Sequence, residues 1–131
     1  TAEVLSATNA ATSLALREAR ASETRSGTLR GIGASAGQAE GTIRVLSDLS
    51  NTVNIDAHTI LVVPYTDAGW SPLLARIGGL IAEVGGQLSH GAIVAREYGI
   101  PAVMDVTDAT HRLTTGQRVR IDGQHGTIEI L

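Results

Sequence analysis

His90 is the residue of this 131-residue chain whose type and setting most directly suggest chemistry. It lies in the run Gly85-Gly86-Gln87-Leu88-Ser89-His90-Gly91-Ala92-Ile93-Val94-Ala95-Arg96-Glu97-Tyr98-Gly99-Ile100-Pro101-Ala102. Ser89 is a favoured N-cap type, because its hydroxyl oxygen can accept from the free N–H groups of a helix's first turn. Gly99 suits the left-handed residue that ends a helix, and Pro101 stops any continuation. One short helix is therefore predicted between them, with His90 on its first turn. Gly85 and Gly86 would let backbone N–H groups approach a ligand closely, and a helix N-terminus favours an anion such as phosphate. An unperturbed imidazole, with a pKa of ~6.5, is a good nucleophile near pH 7 and a good leaving group once phosphorylated. No acid, second histidine or cysteine stands at triad or metal-ligand spacing around His90. That pattern favours a histidine that itself carries a phosphoryl group.

The elements that must position this histidine can be read on either side of it. Residues 31–46 read as two short strands around a glycine turn, with Ile43 and Val45 alternating against Thr42 and Arg44. The glycines Gly31, Gly33 and Gly37 match neither nucleotide-binding fingerprint, since no lysine follows and no helix opens after them. Ile60-Leu61-Val62-Val63 is a buried strand ended by Pro64. Ser71-Pro72 opens a short helix, which Gly78-Gly79 should close. Leu80-Ile81-Ala82-Glu83-Val84 follows as a second buried strand. Strand, helix, strand and helix in this order predict a crossover onto a parallel pair, with His90 just beyond a strand's carboxyl end. Ala102 to Met104 is a further strand, 107–113 a helical turn, and 119–122 with 127–130 a closing hairpin across 123–126.

Composition narrows the partners. Aromatic residues are only 2% of the chain, so the core must be built from Val, Ile, Leu and Ala. A net charge of −3 leaves no basic footprint for nucleic acid. No apolar run approaches the ~20 residues of a membrane span, and the residues from Thr1 do not read as the basic-then-apolar pattern of a signal peptide. The absence of cysteine excludes disulfides and thiolate metal sites and fits a cytoplasmic location. Residues 1–26, rich in Ala, Ser, Thr and Arg, read as a linker or loosely held helix, and a domain is expected over 27–131.

The run around His90 resembles the signature of the phosphohistidine, or swivelling, domain of phosphoenolpyruvate-utilising enzymes. Gly31-Ile32-Gly33-Ala34-Ser35-Ala36-Gly37 with Glu40-Gly41 looks like that family's opening hairpin. The segment 60–67 with Trp70-Ser71-Pro72-Leu73 is similar to its middle part. Leu88 stands where the dikinase and synthase branches commonly carry threonine, and Gly91 where alanine is more usual; both departures look more like the rifampin phosphotransferase and synthase-like branch. The resemblance implies an α/β fold, a layered swivelling domain with a mixed buried sheet and short helices. It implies that His90 takes a phosphoryl group from an ATP-grasp nucleotide-binding domain and delivers it to a separate acceptor-binding domain. ATP and Mg²⁺ would be bound by those partner domains, with no cofactor held here. A carrier fed by phosphoenolpyruvate in a sugar phosphotransferase system, or an interaction module without phosphotransfer, are the alternatives.

Supporting roles attach to Ser89, as cap and donor to phosphate, and to Gly85 and Gly86. Glu83, at the strand end, either orients the imidazole or is a solvated acid. Arg96 lies six residues after His90, which on a helix is about 120° around and ~9 Å along the axis. It is expected to face the helix's C-terminal carbonyls or an acid, with a partner domain as the alternative. His58, His111 and His125 are in loop-like contexts and read as surface residues.

Overall fold

The computed structural model describes residues 27–131, so the linker expected over 1–26 lies outside the described residues. Eight strands form one mixed sheet: β1 (Thr28–Arg30), β2 (Ile32–Ser35), β3 (Gln38–Val45), β4 (Thr59–Val63), β5 (Gly79–Ala82), β6 (Ala102–Met104), β7 (Arg118–Asp122) and β8 (Thr127–Ile130). Three short α-helices accompany them, α1 (Ser71–Leu74), α2 (His90–Tyr98) and α3 (Ala109–Arg112), with a 3-10 turn at Ala68–Trp70 before α1. The strand order is β1-β8-β7-β3-β4-β5-β6-β2. The two outermost strands, β1 and β2, are separated in sequence by Gly31 alone, so one extended segment joins both edges and the sheet curls on itself. Glycine is required at that junction, because a Cβ on Gly31 would run into the Met104 carbonyl.

Strands β3, β4, β5 and β6 run parallel in succession, while β1, β2, β7 and β8 pair antiparallel. The predicted crossover is there, with α1 between β4 and β5 and α2 between β5 and β6. Burial on both faces explains the continuous apolar runs of the parallel strands. Ile60, Val62, Ile81 and Val103 point into one core with Val119, Ile121 and Ile128, closed by Ala109 and Leu113 at α3. Leu61, Val63, Leu80 and Met104 point into the other, against Leu73 and Leu74 of α1 and Ala92 and Ala95 of α2. Each such aliphatic side chain contributes ~1.5–3 kcal/mol on full burial, and with Trp70 the single described tryptophan, aliphatic packing carries both cores.

Three sequence expectations change. The segment 31–46 contains β2 and β3, but they do not pair: β2 lies on β6, and β3 lies between β4 and β7. The turn at Gly37, with φ of 127°, sends the chain to a different place in the sheet instead of back along itself. Gly79 does not close the first helix but begins β5, packed so tightly that a Cβ would lie 2.6 Å from Ile121 Cδ1. Strand β5 ends at Ala82, leaving Glu83 and Val84 in the loop that leads to α2.

Candidate functional site

The parallel pairing of β4 and β5 brings their carboxyl ends together. Their backbone bonding extends past the strands, with Glu83 N–H donating to Val63 O and Val84 N–H to Pro64 O. The connections leaving this end carry Thr66 and Ser71 on one side and His90 on the other. Nδ1 of His90 lies 3.0 Å from Thr66 Oγ1, and Nε2 lies 3.2 Å from Ser71 Oγ. The imidazole is half-buried and held at both nitrogens by hydroxyls. A hydroxyl can donate or accept, so this pair suits either neutral tautomer and leaves the lone-pair nitrogen facing a small, rotatable group. From the sequence Ser71 reads as the cap of the first helix and Thr66 as part of the middle segment, and neither is assigned to the site; in the structure the N-cap of α1 is Trp70, and Ser71 turns its hydroxyl to His90.

Gly91, the second residue of α2, makes room for this arrangement. A Cβ there would lie 2.7 Å from Thr66 Oγ1 and 3.1 Å from Met104 Cε.

Helix α2 begins and ends where expected. Gly99 is left-handed, with φ of 70°, and its N–H closes on the Ala95 and Arg96 carbonyls. Ser89 is the N-cap by position and backbone, with φ of −70° and ψ of 160°, but its side chain makes no capping bond. Its hydroxyl instead donates to Gly86 O at 2.7 Å, tightening the loop that precedes the helix. The first-turn N–H groups therefore keep their outward donors, since helix geometry offers them no partner. Gly85, with φ of 138°, occupies a conformation that favours glycine, and a Cβ there would lie 2.9 Å from Ser89 Oγ. At Gly86 a Cβ would meet nothing within 4 Å, so its contribution is the carbonyl that Ser89 binds.

Two of the supporting residues act elsewhere than predicted. Glu83 turns to the N-terminus of α3, where its Oε1 accepts from Thr110 N–H at 2.8 Å and from the Thr110 hydroxyl. The bond replaces one that α3 otherwise lacks, since Asp108 makes no side-chain cap there, and neither ring nitrogen of His90 is bonded to Glu83. Arg96 reaches neither the C-terminal carbonyls nor an acid. Its Nη1 donates to Ala34 O and its Nη2 to Gln87 O, each at 2.7 Å. His58 and His111 are exposed as expected, and the exposed His125 pairs with Asp122 at 2.9 Å.

Around His90 several large apolar side chains face solvent: Tyr65, Val84, Ile93 and Leu88, the last 87% exposed. The family "PEP-utilising enzyme, mobile domain" matches residues 55–126, which include His90 and both hydroxyls bonded to its ring. The chain belongs to that family.

This mobile domain is 49% identical over 105 residues to a rifampicin phosphotransferase of Streptomyces sviceus, covering 80% of the chain and 12% of that protein. It is 39% identical over 100 residues to a probable phosphoenolpyruvate synthase of Pyrococcus abyssi, covering 76% of the chain and 12% of that protein. The chain thus spans about an eighth of the length of these relatives. Among solved structures, aconitase X of Thermococcus kodakaraensis superposes with a TM-score of 0.62 at 26% identity, over 79% of this chain and 98% of that one. Among the described residues no helix is long and apolar enough to cross a membrane.

Proposed function

We propose that this mobile domain is the phosphoryl carrier of an ATP-dependent, dikinase-type phosphotransferase, with His90 as the group that is phosphorylated. The carrying observation is the imidazole held between Thr66 and Ser71 at the carboxyl end of the parallel strands, on the first turn of α2. In the first half-reaction the lone pair of a ring nitrogen forms an N–P bond at the β-phosphorus of ATP as the P–O bond to AMP breaks, and the γ-phosphoryl group then passes to water or phosphate, leaving one phosphoryl group on the ring. In the second, an acceptor oxygen attacks the phosphorus and the N–P bond breaks, returning neutral imidazole. The proton on the other ring nitrogen stays in place through both steps, with a hydroxyl to accept it.

ATP and Mg²⁺ belong in this reading to an ATP-grasp domain, and the acceptor to a third domain. The acids on the loops beside His90 are engaged with this chain's own backbone, Glu83 at Thr110 and Asp67 at Gly69. Tyr65, Val84 and Leu88 are exposed on the connections that carry Thr66 and lead into α2, so a donor domain docked at this end of the sheet would bury apolar surface there. A carrier serving two remote sites presents its histidine from a firm platform and moves as a body. The loop bonds of Ser89, Gln87 and Arg96 favour that over a flexible lid.

Incubation with an ATP-binding domain of a related rifampicin phosphotransferase and ATP labelled at the β and γ positions tests the assignment. The label should appear on His90, resist base and be lost in mild acid, as a phosphoramidate is. Undiminished labelling of His90→Ala would overturn it. The chain alone should hydrolyse no ATP.

A further inference from the structure

The structure assigns Arg96 a part in the site that its distance from His90 along the helix conceals: it is a positioning residue that locks the loop presenting the imidazole. The inference rests on the carrier reading for its kinetic consequence, but not for its geometry. Strand β2 pairs with β6 through Ile32–Met104, Gly33–Val103 and Ser35–Ala102, so its register shifts and Ala34 is an extra residue. A bulge of this kind leaves the extra residue out of the ladder and re-aims its groups. Ala34 O is one of the two acceptors of Arg96, and Gln87 O, in the loop that leads into α2, is the other. One planar guanidinium thus spans from the bulge to the loop, with two bonds of 2.7 Å.

The same loop is tied at two further points. Gln87 Nε2 donates to Gly33 O at 3.3 Å, and Ser89 Oγ donates to Gly86 O. Residues 86–89 are therefore bonded to β2, to α2 and to themselves, and the next residue is His90. Rotation of that loop would carry the imidazole away from Thr66 and Ser71, which sit on a different connection. Arg96 acts on phosphoryl transfer by preventing this, without touching the reacting atoms. A misplacement of ~1 Å can cost ~100-fold in rate when reacting groups must align. Lysine is a poor substitute, because a single ammonium lacks the fixed fork that meets two carbonyls at once.

The test uses the full chain with ¹⁵N-labelled histidine. Long-range ¹H–¹⁵N spectra report the tautomer and hydrogen bonding of each ring, with His58, His111 and His125 as internal references. Arg96→Ala should shift or broaden the His90 ring signals while the other three stay in place, and Arg96→Lys should restore them only in part. Ile128→Ala, in the opposite core, serves as a control that loses at least as much stability and should leave His90 unmoved.

Labelling by phosphoramidate, a small phosphoryl donor that releases ammonia as the N–P bond to histidine forms, should slow tenfold or more at His90 in Arg96→Ala. His90 signals at their wild-type positions in Arg96→Ala, or displaced equally in Ile128→Ala, would overturn the proposal. If Arg96→Ala does not fold, Arg96→Lys carries the same two outcomes. The ring spectra need no phosphoryl transfer, so an intact Arg96 effect on His90 beside an unlabelled His90 would mean that the carrier reading had failed and the positioning role had not.

Discussion

Arg96 and Arg120 each grip two partners, and the partners differ in kind. Arg120, on β7, meets carboxylates: Nη2 lies 2.5 Å from Glu40 on β3, and Nη1 lies 3.1 Å from Glu129 on β8. All three side chains are roughly half exposed. Arg96 meets two neutral carbonyls, one of them belonging to the buried Ala34. In open water the attraction between full charges is largely cancelled by solvation and screened by salt. A carbonyl that a bulge has taken out of the ladder has a worse alternative, since its unmet bond costs free energy wherever water reaches it poorly. The more conspicuous electrostatics therefore decorates a hairpin face, whereas the quieter fork determines where a loop sits.

Removing each arginine in turn separates the two kinds of grip. Arg96→Ala should cost about 1.5–3 kcal/mol, the range of hydrogen bonds to charged groups. Arg120→Ala should leave the denaturant midpoint almost unchanged. Repeating both in ~1 M salt, where the screening length falls to ~3 Å, should erase what little Arg120 contributes and leave the Arg96 loss standing. Equal losses for the two variants at low and high salt would show that burial of the acceptor does not decide the matter.

A smaller effect is expected from Gly91→Ala. Alanine in a helix is favoured over glycine by up to ~1 kcal/mol. Here its Cβ would stand 2.7 Å from Thr66 Oγ1, so the hydroxyl must leave Nδ1 of His90. Thermal stability should change little as the two effects offset, while labelling of His90 slows severalfold. Unaltered labelling would mean that the Thr66 contact is dispensable and that the loop held by Arg96 suffices.

The smallest expected effect is confined to the hairpin. Asp122 accepts from the backbone N–H and the ring of His125 and from Gln124 N–H, and these bonds bring its carboxyl down to about 2. Because the folded value is depressed, the turn's stabilisation is complete above the ordinary carboxylate range of ~3.9. It is lost as pH falls through that range toward about 2. Amide exchange at Gln124 and His125 should quicken over this window, with the Arg96 loop unaffected. Asp122→Asn should abolish the transition.

Local chemistry was enough to find α2 with His90 on its first turn and Gly99 at its end, the buried run of β4 and the β7–β8 hairpin. These depend on neighbours in the chain: an apolar period, a left-handed glycine, a proline that forbids continuation. The resemblance around His90 added the family, which the matched region bears out. The partners of the site side chains were not legible in this way. Thr66 and Ser71 lie 24 and 19 residues before His90, and they meet it only because β4 and β5 are adjacent and parallel. Ala34 lies 62 residues before Arg96, and Glu83 lies 27 before Thr110. The hydroxyl of Ser89 had two acceptable uses, capping the helix or closing the loop, and only the position of Gly86 O chose between them. Strands that are apolar on both faces fold readily but carry no mark of which neighbour they take. The order of the sheet, and every bond across it, was decided when both cores were buried together.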